Sequence, residues 1–535
     1  MKKRILLISI IEILVLGIYY YIALPPINIT SPLFWSFVMF GLAILTGLIF
    51  ITNVSGGITT LIKGGKSQTI KKPVYILPFM IIAIVVGMML VNFICSPMFN
   101  AKSYSKRITI KEDGNFTKDI EKVNFNTLPL LDRNSSEKLG DRVMGQMKDL
   151  VSQFYVSNQY TQINYNNDII RVTPLEYADL IKWISNRKEG VAGYITVNSV
   201  DGSSKLVRLE KGMKYMPSAF FNENLKRKLR FLYPTTIFGT SRFEIDNDGN
   251  PYWITPTYKY TGVGLKTKVT GVVILNPING EHKKYNIDKV PTWVDNAYDA
   301  NLIIEQVDNW GTYRDGYLNS IFGQKNVVNT TEGYNYLAMN DDIYLYTGIT
   351  SVLSDESNLG FILTNMRTGE TTFYEVPGAE EYSAMASAEG QVQQMKYTST
   401  FPLLINLNNK PTYLVSLKDA AGLVKMYGFI DVENYQKVVV TDASKGIEIA
   451  ATNYLESFDE EISEDTLVKK EIKIKKINEV VISGNTYYYI LDKDDIKYRL
   501  SINLSDNLPF LSNGDIINIG YYNSEKEIIE VIKVY

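Results

Sequence analysis

Cysteine and histidine are all but missing from this chain: Cys95 and His282 are the sole examples in 535 residues. A single cysteine excludes an intrachain disulfide. The scarcity of both leaves almost no room for histidine-based triads, Cys–His dyads or His/Cys zinc sites. A basic surplus is also missing, since the formal net charge is -2. Residues 1–95 carry Lys2, Lys3, Arg4, Lys63, Lys66, Lys71 and Lys72 against Glu12 alone, so the rest of the chain is mildly acidic. That balance argues against nucleic acid as a partner. The length exceeds what one core supports, so several domains are expected. Abundant Asn, Lys, Ile and Tyr suggest an AT-rich bacterial genome.

What is present begins with three apolar runs, Ile5–Leu24, Leu33–Thr52 and Val74–Ile94. Each is close to the length that spans hydrocarbon as a helix. The first starts on MKKR but has no small-residue cleavage site, so it reads as a span and not as a removed secretory signal. MKKR and the lysine-rich second loop belong on the cytoplasmic side. The expectation is a multi-pass protein of the bacterial plasma membrane, with its N-terminus cytoplasmic and residues after about 96 extracytoplasmic. Glu12 inside a span is costly, and is a candidate for a functional role or for pairing with a neighbouring helix. Cys95 falls where the third run ends, and the NFI before it makes no lipoprotein cleavage box. Gly17, Gly41, Gly47 and Gly87 would allow close helix packing.

Residues 100–134 are polar, without sustained periodicity, and read as a linker with local structure. Residues 135–240 read as a helical or mixed first ectodomain unit. A helix is expected from about Ser136 on the stripe Leu139, Val143, Met147, Leu150, Val151 and Phe154. Thr173-Pro174-Leu175-Glu176 has the form of a capping box, which predicts a helix to about Arg187. Asp201-Gly202 predicts a hairpin. Another helix is expected over 217–232, with Phe221, Leu225, Leu229 and Leu232 on one face. Lys226, Arg227, Lys228 and Arg230 on its other face read as a solvated surface, the alternative being contact with anionic headgroups or wall polymer.

A four-strand unit is then written three times, over 241–330, 331–398 and a diverged 399–460. Each copy is followed by a helical stretch, which suggests one sheet with a helix across it. Asp246-Asn247-Asp248-Gly249-Asn250 resembles the start of a calcium loop but lacks its later glutamate, so it reads as turn chemistry. The matching turns are Asn340-Asp341-Asp342 and Asn408-Asn409-Lys410. A second hairpin turns at Asn279-Gly280-Glu281, Thr368-Gly369-Glu370 and the drifted Glu433-Asn434-Tyr435. His282, beside the first of these, reads as an exposed strand residue.

Pro251-Tyr252-Trp253 before a strand, and Val273-Ile-Leu-Asn-Pro-Ile-Asn-Gly-Glu281 in the next hairpin, resemble PepSY-type domains. The resemblance spans roughly residues 160–458. It implies extracytoplasmic binding or restraint of peptidases, and it brings no catalytic residues.

Residues 466–535 divide into five strand-like stretches, and a closed barrel of that size looks like an OB-fold. Basic and acidic residues are equal in number there, so no funnel for nucleic acid is expected. Tyr487, Tyr488, Tyr489, Tyr521 and Tyr522 read as packing residues, the alternative being a stacking platform for a sugar or base.

The expected fold class is α+β: three N-terminal transmembrane helices in 1–99, repeated antiparallel sheet-plus-helix units and a small C-terminal β-barrel. No catalytic, cofactor-binding or metal-binding residue is assigned, and no cofactor is expected. The expected function is a non-catalytic, membrane-anchored binding, scaffolding or regulatory protein of the bacterial envelope. Its expected partners are the lipid bilayer and another envelope protein. The alternative is an enzyme acting on wall polymer, or a sugar-binding module, using Asp246, Asp248 or Glu281 and the barrel aromatics. A sensor or transport accessory working through Glu12 lacks a cytoplasmic domain to receive its signal.

Overall fold

A computed structural model describes residues 2–62, 73–352, 354–458, 462, 464–482, 485–524 and 526–535. The loop holding Lys63, Lys66, Lys71 and Lys72, the turn Ser483-Gly484, and Glu525 lie outside them. Helices α1 (Lys2–Ala23), α2 (Pro32–Ile62) and α3 (Pro73–Ile94) are long and apolar enough to cross a membrane. Tyr19 stacks on Phe40 at 4.4 Å, joining α1 to α2. Of the four span glycines only Gly41 is closely approached, by Leu16; the other three face open space. Glu12 is half-buried on α1.

The globular part is fastened to these helices at three places. Arg227 donates through Nε to the Tyr21 carbonyl (3.2 Å), and Arg230 through Nε to the Leu24 carbonyl (3.0 Å). The two guanidinium groups thereby satisfy carbonyls that a helix C-terminus leaves open. The basic face expected to be solvated is therefore largely engaged: Arg230 is buried, and Lys228 stands over the Tyr215 ring. The second fastening is a hairpin tip. Asn92 on α3 accepts from Val263 N at 2.8 Å and donates to Val263 O at 3.0 Å, while Gly264 N donates to Thr30 O at 2.9 Å. Cys95 lies against this tip, beside Gly262. The third is α4 (Pro97–Ser105), whose Tyr104 meets Tyr313 and donates to the Cys95 carbonyl at 3.1 Å. Asn92→Ala removes both ties to Val263, and amide exchange at Val263 and Gly264 is expected to accelerate about tenfold, or ~1.4 kcal/mol of local opening. Hydrogen-exchange mass spectrometry on the full chain reads this directly; unchanged exchange would show that the tip is held by something else.

Beyond the helices the chain builds four copies of one unit, one more than the repeats visible in the sequence. Each is a four-row antiparallel sheet. The added copy uses strands Phe154–Val156, Thr161–Tyr165, Asp168–Tyr177, Val191–Asn198 and Ser204–Met213. Its Asn166-Asn167 turn has both φ positive, as do Asn340-Asp341 and Asn408-Asn409. This is the two-residue turn whose twist matches paired strands. Its second turn, Asn198 to Gly202, matches Asn276 to Gly280 and Asn365 to Gly369: the glycine N–H donates to the Asn carbonyl four residues back in all three. The helix expected from Thr173 is therefore a strand; a shorter helix, Leu180–Asn186, begins after the cap Asp179.

The helix that covers each sheet precedes it. Leu225 and Leu229 of the helix Leu225–Leu232 pack with Trp253, Val273 and Leu275 of the following sheet. Ile303, Val307 and Trp310 of Ala300–Tyr313 pack with Ile343, Leu345 and Ile362. Ala388 of Glu381–Gln391 lies against Gly428. Only Ile447–Glu456 covers the copy it follows, with Tyr454 against Phe429. The first two sheets share one core, and the last two share another.

Residues 100–134, expected as a linker, are an ordered strap. Ile110–Gly114 pairs in parallel with Thr371–Tyr374 of the third copy. Phe116, Ile120, Phe125, Leu128 and Leu130 are buried in the core of the third and fourth copies. Phe125 meets Tyr522 of the C-terminal sheet edge-on at 5.1 Å. That sheet curls around the long strand Val468–Ile482, which pairs with Ile516–Tyr521 through its first half and with Asn485–Asp492 through its second. The last expected strand is split. Ile528–Glu530 runs parallel to Lys497–Ser501, and Lys533–Val534 runs antiparallel to Ile516–Tyr521. Tyr488, Tyr521 and Tyr522 are buried in packing, and Tyr487 lies under Arg499.

Candidate functional site

In each copy the edge row of the sheet is broken in two. The break faces Thr173-Pro174, Thr255-Pro256, Thr347-Gly348 and Val415-Ser416 in turn. Proline has no N–H to lose from the ladder there, which is why it is tolerated inside a strand. Side chains bridge the gap: Thr173 Oγ1 donates to Ser157 O at 2.7 Å, and Thr347 Oγ1 to Gly333 O at 2.9 Å. The four breaks converge on one cavity of about 380 Å³. The first copy supplies Tyr160, Gln162 and Arg171; the second, Arg242; the third, Tyr334 and Tyr336; the fourth, Thr400 and Phe401. Asp132 and Arg133, at the start of the helix Arg133–Gly145 that packs on the first sheet, and Asn296 also line it. The volume falls in the range of small-molecule sites.

The cavity is cationic. Arg171 is 7% exposed, and its side chain makes no hydrogen bond or ion pair among the described residues. Burial lowers its pKa to about 10, so it remains charged at neutral pH. The carboxylate that acts on it, Asp132, is already engaged by Lys418 and by Ser135. Arg242 pairs with Asp299 at 3.0 Å through Nη2, while its buried Nε is unpartnered. Both polar atoms of the Gln162 amide are buried without partners among the described residues; the Tyr160 hydroxyl, also without one there, lies against Gly140. Unpaired polar groups inside a protein are costly and rare, and a cluster of them is where water, an ion or a ligand supplies the missing partners. Two guanidinium forks suit a carboxylate or phosphate; the open amide suits a hydroxyl or a second amide; the aromatic rings offer flat walls.

The repeat shows what Arg171 replaces. The residue two before each break is Arg171, Trp253, Leu345 and Tyr413. The other three are buried core side chains. The fold therefore has no need of a cation at this position. Aligning the first three copies on Thr-Pro, Thr-Pro and Thr-Gly would have exposed the substitution; no other sequence signal joins residues this far apart.

Behind the cavity wall lies a pair of buried acids. Glu244 accepts from Asp295 N at 2.9 Å and from Asn296 N at 3.0 Å, and Asp295 accepts from Asn164 N at 2.8 Å. Burial raises the Glu244 carboxyl to about 7, and burial together with the Glu244 charge raises Asp295 well above the usual range. Their role is to fix the loop carrying Asn296 against the first two copies, since Asn296 Nδ2 donates to Gln162 O at 3.1 Å.

The carboxylates weighed from the sequence lie elsewhere. Asp246 Oδ1 accepts from Asp248 N and Asn250 N, which is turn chemistry. Asp246, Asp248 and Glu281 gather around Tyr252, raising its phenol after burial has done so, but Asp248 and Glu281 are exposed turn residues. His282 is exposed, with its ring edge-on to Tyr233. Among the described residues, no group of three or more His, Cys, Asp and Glu side chains is placed to hold a metal ion. No family model matches the chain, and neither the curated proteins nor the solved structures include one similar to it.

Proposed function

We propose that the chain is a membrane-anchored, extracytoplasmic binding and scaffolding protein of the bacterial envelope, non-catalytic, that holds an anionic ligand where its four repeats meet. The observation that carries this reading is the unpartnered, buried Arg171 guanidinium in a cavity that every copy helps to line. The ligand carries a carboxylate or phosphate for Arg171 and Arg242, and a hydroxyl or amide for Gln162. An envelope protein bearing such a group would be gripped by all four copies at once. The PepSY-type reading is supported by an antiparallel meander with a helix across it, repeated in tandem. The small-barrel reading is supported by the split final strand, whose halves bridge the two ends of the C-terminal sheet. The basic start of the chain supports a cytoplasmic N-terminus.

The test uses the full chain in detergent with glucuronate and with inorganic phosphate as probes. At least one is expected to raise the thermal midpoint in a saturable way, and Arg242→Gln is expected to abolish the rise. If neither probe moves the midpoint, or if the variant responds like the parent, the cavity is not an anion site.

A further inference from the structure

The first copy and the helix after it carry apolar side chains that are exposed among the described residues, and they gather beside the end of α1. Ile181 is 70% exposed, Ile184 57% and Phe221 59%, with Leu180 and Phe231 also exposed. A chain of contacts fixes their height. Phe231 lies 6.2 Å from both Tyr20 and Tyr21 of α1. Arg227 donates to Tyr21 O through Nε and to Phe221 O through Nη1, at 2.5 Å in the second case. Phe221 in turn lies 5.6 Å from Trp183, in the same short helix as Ile181 and Ile184. The patch is thus level with the tyrosines of α1's last turns, where aromatic belts meet headgroups.

Backbone strain points the same way. Phe221 has φ +50°, a conformation costly for a bulky residue, and its ring is nonetheless exposed. A second group, Leu318, Ile321 and Phe322, is exposed just past the helix whose Tyr313 meets Tyr104 of α4. Tyr104 is itself tied to Cys95 at the end of α3. Apolar groups therefore protrude on the α1 side and on the α3 side, both beside helix ends.

We propose that these two patches embed in the bilayer leaflet nearest the globular part, so that the first copy and the 318–322 segment rest in the membrane surface as monotopic contacts beside the spans. The partner is the interface of the lipid bilayer itself. This rests on the reading that α1–α3 cross a membrane, and the experiment separates the two.

Single cysteines are placed in a Cys95→Ser background at Ile181, at Phe322, at Ile18 on α1 and at Phe510 in the C-terminal sheet. All four positions are exposed, so each tolerates a fluorescent label. The labelled full chain is reconstituted in phosphatidylcholine nanodiscs. Quenching by a lipid nitroxide placed high on the acyl chain is compared with quenching by aqueous iodide. The Ile18 label should respond to the lipid quencher and the Phe510 label to iodide. The Ile181 and Phe322 labels are expected to behave like Ile18, with a lipid-to-iodide ratio roughly tenfold above that of Phe510. If Ile18 responds to lipid while Ile181 and Phe322 follow Phe510, the surface contact is overturned and the spans stand. If Ile18 also follows iodide, the anchoring itself fails. Labels at Ile181 and Phe322 shielded from both quenchers would mean that protein covers the patches, which also overturns the proposal.

Discussion

Arg171→Met is expected to raise the thermal midpoint of the ligand-free chain, by the equivalent of about 2 kcal/mol, and to remove its response to anions. The sign is unusual for a buried position and follows from the site. Arg171 is a desolvated cation with no partner among the described residues, so its removal relieves a penalty and breaks no bond described there. Methionine has a similar length and no charge, and the equivalent positions already hold Trp253, Leu345 and Tyr413. Arg242→Met makes the contrasting case. It strands Asp299, which is partly buried and also caps the helix Ala300–Tyr313 by accepting from Asn301 N. That variant is expected to lose about 1 kcal/mol, after allowance for the partial exposure of the pair. Calorimetry of both variants in detergent decides the matter: a lowered midpoint for Arg171→Met would mean that the guanidinium holds the fold together and is not kept for a ligand.

The second large effect is a stability that falls as pH rises. Glu244 titrates near 7 in the folded chain, against about 4.5 when unfolded. Between those values the folded state binds more protons than the unfolded state, so the slope of stability against pH is negative. The penalty is absent below about 4.5 and complete above about 7, and integrates to roughly 3 kcal/mol. Asp295, also raised, acts in the same direction. Glu244→Gln removes the group that carries most of this slope, while its amide oxygen still accepts from one of the two loop N–H groups. The parent chain is expected to melt higher at pH 5 than at pH 8, and the variant to lose most of that difference. Equal pH dependence in the two chains would assign the effect to other groups.

The sequence disclosed the spans and three of the four repeats because both depend on local signals. Long apolar runs and turns such as Asn279-Gly280 are read without knowing the fold. The first copy was hidden by one tetrapeptide. Thr173-Pro174-Leu175-Glu176 satisfies every local rule for a helix start, yet the same Thr-Pro recurs at Thr255-Pro256, where it faces a strand break. Tertiary pairing overrode the local cue, and the Asn198 to Gly202 turn was the clue to it. The basic face around Arg227 and Arg230 misled for a related reason, since the carbonyls it serves lie some two hundred residues earlier. The cavity was illegible because it is assembled from a few residues of each of four copies, none of which forms a motif alone.

The strap has a consequence for synthesis. Ile110–Gly114 emerges early, but its pairing partner Thr371–Tyr374 is made only with the third copy. At ~5–20 residues per second, the strand waits on the order of tens of seconds with its edge unpaired. Phe116, Ile120 and Phe125 lack their eventual surroundings for the same interval. The first two copies share a core that does not include the strap, so they are able to close while it is still open. Assembly of this chain therefore ends near where it began, with an early segment locked last, and any factor that shields newly made protein has the strap as its longest-lived target.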